Sequence, residues 1–169
     1  MSLSLRPDWV FDDYEQVDAA LLGSLGVRLL LTDLDFTLAP KKVAEPDAAV
    51  HAWIAALRAA GIEVAILSNN RSSRRVERFC SALGIDYVGH AQKPRRIGYL
   101  RAMRKFGTDA SCTAMLGDKL LTDCLGAHNA RIPALIVEPK GGAVGPWQKV
   151  LHALQEPFKR SSRHDTRKK

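Results

Sequence analysis

Six side chains in this sequence have the types and positions to do chemistry together. Asp33 and Asp35 stand one residue apart at the end of the apolar run Leu29-Leu30-Leu31, and Ser68 ends a second such run, Ile62 to Leu67. Lys93 lies in the loop after a third, Ile85 to Val88, and Asp118 and Asp123 follow a fourth, Cys112 to Leu116. Two acids as close as Asp33 and Asp35 repel each other unless a cation, a proton or backbone amides compensate, and a divalent metal is the usual remedy. Four carboxylates, one hydroxyl and one ammonium converging on a crevice are the parts of metal-assisted phosphoryl transfer. The carboxylates hold Mg²⁺, and the metal and the ammonium neutralise phosphate oxygens. A free carboxylate attacks phosphorus to give an acyl phosphate, and a neighbouring acid protonates the leaving oxygen and later activates water. Singly, each residue has a plainer role: Asp33 or Ser68 as a cap, Lys93 as a surface charge, Asp118 as a turn residue, Asp123 as a helix acid. Those plainer roles do not explain why all of them fall at one sheet edge.

The elements that must position these residues follow from the pattern of apolar runs and breaks. A short helix over Val17 to Leu25, closed by Gly26, precedes the first strand, about Arg28 to Asp33. Pro46 opens a helix with Val50, Trp53, Ile54 and Leu57 at helical spacing, which Gly61 stops, and a third helix runs from about Ser72 to Leu83. Pro94 starts a basic helix whose inner side is read as Ile97, Leu100, Met103 or Arg104, and Phe106. A fifth strand covers Ala134 to Val137, and Trp147, Val150, Leu151, Leu154 and Phe158 mark a closing helix. Strands and helices alternating in this way build a three-layer, Rossmann-like α/β fold around a parallel five-stranded sheet. Its carboxyl edge, where open parallel sheets bind ligands, carries all four polar tips. The segment Leu3 to Tyr14 is expected to be a packed lead-in.

The 169 residues and their 46% apolar content suffice for one domain, residues 1–158, with a basic tail over 159–169. That tail holds Lys159, Arg160, Arg163, Arg167, Lys168 and Lys169 against Asp165, and accounts for most of the formal charge of +7. Such a run suits an anionic membrane surface or nucleic acid, and also a solvated terminus that aids solubility; the last is adopted, and nucleic acid is not expected as a partner. No stretch approaches the roughly 20 apolar residues of a spanning helix, nor is there a signal-peptide block, so a soluble cytoplasmic protein is expected. Cys80, Cys112 and Cys124 fall in apolar periodic segments without C-x-x-C spacing and read as core thiols, which argues against zinc. The five histidines show no ligand spacing.

Asp33-Leu34-Asp35-Phe36-Thr37 resembles motif I, D-x-D-x-T/V, of the haloacid dehalogenase-like phosphatases. Ile66-Leu67-Ser68-Asn69-Asn70 is similar to motif II of that superfamily, Lys93 with Pro94 to motif III, and Gly117, Asp118 and Asp123 to motif IV. The resemblance runs from about Gly26 to Pro139, and within the superfamily it is nearest to the capless III-A branch called YqeG-like, related to the mitochondrial phosphatidylglycerophosphatase. It implies Asp33 as nucleophile and metal ligand, Asp35 as general acid/base with its backbone carbonyl on the metal, Asp118 as the main side-chain Mg²⁺ ligand and Asp123 as support for the metal. It implies that Ser68 and Lys93 bind the phosphoryl group, with Thr37 and Asn69 as further substrate contacts. Phe36 departs from the branch, where Asn or Gly is more common, and bears on the leaving-group wall.

Neither inter-motif segment has room for a cap domain, so an open crevice is expected. It would admit a bulky or membrane-embedded phosphate ester, including a lipid phosphate reached by peripheral membrane contact, or would be closed by a second subunit. The alternatives are a nucleotide or sugar-phosphate phosphatase and a non-catalytic module binding RNA or anionic membrane. A signalling receiver domain keeps its acids elsewhere and has no need of Asp35.

Overall fold

Leu29, Leu30 and Leu31 are all buried, and alternate members face opposite sides of one sheet: Leu30 packs in one core cluster, Leu29 and Leu31 in another. A strand apolar on both faces requires cover on both faces, which a parallel sheet with crossover helices provides. The computed structural model describes residues 5–70, 74–141 and 156–157. Its strands are β1 (Trp9–Phe11), β2 (Leu29–Thr32), β3 (Glu63–Leu67), β4 (Asp86–Val88), β5 (Thr113–Gly117) and β6 (Ala134–Val137). All pair in parallel, in the order β1-β6-β5-β2-β3-β4. Helices α1 (Ala19–Ser24), α2 (Ala48–Ala59) and α3 (Arg74–Leu83) cover one face, and α4 (Ile97–Lys105) and α5 (Leu125–Asn129) the other.

From β2 the chain steps outward to β3 and β4, then returns to the other side of β2 for β5 and β6. The reversal opens a crevice beyond the carboxyl ends of β2 and β5, the usual ligand position in such sheets. Helix entry is set locally: Asp47 caps α2 by accepting from the Val50 amide at 2.9 Å. Gly61, at φ +80°, ends α2 in a conformation that side chains disfavour and turns the chain into β3. Among the described residues nothing but a loop and α2 lies between β2 and β3, and nothing but α3 between β3 and β4, so neither interval carries a cap.

Two expectations are revised. The sheet has six strands, not five, because Trp9–Phe11 in the expected lead-in pairs with β6, Trp9 opposite Leu135. The inner side of α4 is Gly98, Tyr99, Ala102 and Met103, whereas Ile97 and Leu100 are 55% and 43% exposed. The expected closing helix over 147–158 lies almost wholly outside the described residues. The three cysteines are free and buried, as expected. No helix among the described residues is long and apolar enough to cross a membrane.

Candidate active site

Asp33 directly follows β2, and its amide donates to the Leu116 carbonyl at 2.9 Å, continuing the pairing with β5 to the crevice edge. Lys93 is brought there by two tied loops. The Asn69 side chain donates to the Lys93 carbonyl at 3.0 Å and accepts from the Lys93 amide at 2.6 Å, while the Ala91 amide donates to the Ser68 carbonyl at 2.9 Å. The Lys93 ammonium then reaches Asp33 Oδ1 at 3.0 Å and Asp123 Oδ1 at 2.7 Å, with the lysine side chain 3% exposed and Asp123 fully buried. Asp123 arrives on a single turn of π-helix, Leu120–Cys124, and its Oδ2 accepts from the Lys119 amide at 3.1 Å. That approach requires Gly117, since a Cβ there would lie 2.5 Å from the Asp123 carboxylate.

Carboxylate oxygens of Asp33, Asp118 and Asp123 lie within 4.8 Å of one another. Thr37 donates to Asp118 Oδ1 at 3.4 Å, and the Lys119 ammonium contacts Asp118 Oδ1 at 2.7 Å and Asp33 Oδ2 at 3.4 Å. Burial would raise the Asp33 carboxyl, but the ammoniums of Lys93 and Lys119 outweigh it and hold the group below the usual carboxylate range. Burial also opposes charge on Lys93, and there Asp123 and Asp33 prevail and raise it. Asp118 is pushed up to about 7 by burial, with Asp123 and Asp33 adding to the shift against Lys119. Asp123 is raised as well, by burial first, although Lys93 works against it.

Three carboxylates thus share two ammoniums, and the shortfall falls on Asp118 and Asp123. A cluster of hard oxygen donors that holds a proton near neutrality for want of positive charge fits a divalent cation.

Of the residues singled out in the sequence, Asp33, Lys93, Asp118, Asp123 and Thr37 meet here. The Asp35 side chain does not join the acidic trio; it forms an ion pair with Arg75 on α3. Ser68 Oγ accepts from the Asn70 amide at 3.2 Å, and Asn69 is engaged in holding the Lys93 loop. Two residues were missed, Lys119 and Arg75. The first sat unremarked between an acid and an apolar pair. The second, with Arg74, places positive charge in the first turn of a helix, where the dipole favours acids; that breach of a local rule was the available signal.

Comparison with known proteins gives the family and the fold. A family model described as haloacid dehalogenase-like hydrolase matches residues 13–131. The probable phosphatase YqeG of Bacillus subtilis is 30% identical over 139 residues, which is 82% of this chain and 80% of that protein. The cobalt-bound deoxy-D-mannose-octulosonate 8-phosphate phosphatase of Haemophilus influenzae superposes with a TM-score of 0.57 at 16% identity, over 82% of this chain and 92% of that one. A Xanthomonas campestris protein does so with a TM-score of 0.54 at 19% identity, over 88% and 89%. At such identities the two structures establish a shared fold. Sheet, crevice and acidic trio define the class, a hydrolase on a doubly wound parallel sheet. The chain belongs to the haloacid dehalogenase-like hydrolase family, and the enzyme class expected from its strand-end motifs, a phosphomonoester hydrolase, stands with it.

Proposed function

We propose that this enzyme hydrolyses a phosphate monoester through an aspartyl-phosphate on Asp33, with Mg²⁺ held by Asp33, Asp118, Asp123 and the Asp35 backbone. The observation that carries the reading is the buried Lys93 ammonium, which bridges Asp33 and Asp123 beside the third carboxylate. A cation held there would supply positive charge against the phosphate oxygens. Lys93 holds Asp33 ionised and orients it through Oδ1, and Ser68 and Lys93 bind the phosphoryl group. Asp33 forms the new bond to phosphorus as the ester bond breaks, and Asp35 gives its proton to the departing oxygen. Asp35 then takes a proton from water as that water attacks phosphorus, releasing phosphate and restoring Asp33.

The substrate we propose is a lipid phosphate of the phosphatidylglycerophosphate type, reached at a membrane surface. Its supports are the uncapped crevice among the described residues and the resemblance of the strand-end motifs to the branch related to the mitochondrial phosphatidylglycerophosphatase. In this reading residues 1–158 are the catalytic unit of a cytoplasmic protein that meets the membrane peripherally. The test is a steady-state panel with and without Mg²⁺: 4-nitrophenyl phosphate, phosphatidylglycerophosphate in anionic vesicles, a nucleotide and a sugar phosphate. Mg²⁺-dependent turnover with a preference for the lipid is expected. Asp33→Asn should lower every rate by at least about 10³-fold, and removal of 159–169 should leave the rates with the soluble esters unchanged. Persistence of turnover in Asp33→Asn defeats the mechanism, and a preference for the nucleotide or sugar phosphate defeats the substrate assignment.

A further inference from the structure

Arg75 uses every nitrogen of its guanidinium on the loop that follows the first catalytic strand. Nε donates to the Val43 carbonyl at 2.6 Å, Nη2 donates to the Pro40 carbonyl at 3.1 Å, and Nη1 pairs with Asp35 Oδ1. One planar, permanently charged group thereby fixes both a side chain and the backbone beside it, in a geometry that a single ammonium lacks. The loop is pinned at another point too: Phe36, at φ +67°, donates to the Ala39 carbonyl at 2.8 Å and accepts from the Lys140 amide at 2.6 Å. Asp33 and Asp35, one residue apart, therefore have different counter-charges. Asp33 is held by two lysines inside the acidic trio, and Asp35 by an arginine from α3.

We infer that Arg75 is a positioning residue that aims Asp35 at the leaving-group oxygen by tying it to the 40–43 loop. The inference rests on the phosphatase reading above. With Oδ1 engaged by Arg75, Oδ2 is the oxygen through which a proton is exchanged with the leaving group. That proton passes to the ester oxygen as the P–O bond breaks, and the guanidinium balances the carboxylate left behind. In the second step the same oxygen takes a proton from the attacking water.

An acid aimed at the leaving oxygen matters most when that oxygen departs as a strongly basic alkoxide, and least when it departs as a nitrophenolate. The experiment is single-turnover cleavage, with Mg²⁺, of glycerol 3-phosphate and of 4-nitrophenyl phosphate by wild type, Arg75→Met, Arg75→Lys, Asp35→Asn and the double variant Asp35→Asn/Arg75→Met. Arg75→Met should slow the alkyl ester at least about tenfold more than the aryl ester, a share of the roughly 10²–10⁴-fold that general acid catalysis supplies. Arg75→Lys should recover only part of that difference. In the Asp35→Asn background the Arg75→Met change should shift the alkyl-to-aryl ratio no further, because the two residues act as a unit.

Equal slowing of both esters, full recovery by Arg75→Lys, or an undiminished Arg75→Met effect without the Asp35 carboxyl would each overturn the inference. Should wild type cleave neither ester, the phosphatase reading itself falls. Thermal melting of Arg75→Lys alongside Arg75→Met separates loss of aim from loss of fold.

Discussion

Asp118 is the residue on which the charge balance of the crevice turns. In the cation-free protein burial pushes its carboxyl from 3.8 up to about 7, against the pull of Lys119. The folded state therefore binds a proton that the unfolded chain has already released. This group makes the cation-free protein lose stability as pH rises from about 4 to about 7. A divalent cation needs the carboxylate, so its affinity runs the other way and weakens as pH falls below about 7. Millimolar Mg²⁺ is accordingly expected to raise the melting temperature by several degrees at about pH 8 and little at about pH 5.5. Asp118→Asn should flatten that dependence; scanning calorimetry across the pH range reads both, and a cation effect independent of pH would contradict the account. Lys119 belongs to the same balance, since its ammonium occupies the space between Asp33 and Asp118 that positive charge must fill. The acids were legible in the sequence because a charged residue directly after an apolar run marks the point where a buried strand reaches the sheet edge. The partners were not, because Arg75 lies 40 residues from Asp35 and Lys119 lies 86 from Asp33, and no local pattern encodes such pairings.

At the scale of elements, the site depends on how closely α4 approaches the loop that carries Lys93. Gly98 makes that approach: a Cβ there would sit 2.3 Å from the Ala91 carbonyl oxygen and 2.7 Å from its Cα, backbone atoms that cannot turn aside. Gly98→Ala gains about 1 kcal/mol of helix propensity but must lift α4 from the loop. Overpacking of about 1–3 kcal/mol is usual where side chains can adjust, and here they cannot. The expected net result is a loss of about 2 kcal/mol in urea unfolding, with kcat reduced even at temperatures where the variant is fully folded, because Lys93 moves with Ala91. Unchanged kcat in the folded variant would show that the loop holds Lys93 without the helix. This packing also explains the misassigned face. Ile97 and Leu100 carry the apolar signal of the segment, yet the face that touches the sheet is built from Gly98, Tyr99, Ala102 and Met103, whose small members permit contact without looking hydrophobic. Tyr99 adds a polar tether, donating at 3.3 Å to the carbonyls of Thr122 and Asp123. The longer elements α2 and α3 were readable because their periodicity and their helix stops agree.

For the molecule as a whole, Lys93 and the acidic trio lie at the carboxyl ends of the central strands, and β1 closes one edge, with β6 and β5 between it and β2. The three residues of β1 were hidden in the sequence by their shortness and by the flanking acids Asp8, Asp12 and Asp13. Those acids turn out to be part of the attachment. Asp8 accepts from the Ala134 amide at 2.8 Å and meets His128 Nε2 at 3.1 Å, and Asp13 caps the turn that follows. Val10 and Phe11 face opposite sides of the sheet and are both buried, so this short edge strand contributes to both cores. Phe11→Ala should cost about 3–5 kcal/mol by leaving a cavity, a large part of the stability of a domain this size. Because β1 touches neither Lys93 nor the acidic trio, folded Phe11→Ala should keep wild-type kcat and cation affinity while its melting temperature falls. Denaturant titration and activity measured on the same samples make the comparison. If kcat per folded molecule fell along with stability, the edge strand would be positioning the crevice across two strands, and the separation of the scaffold's edge from its reactive centre would be wrong.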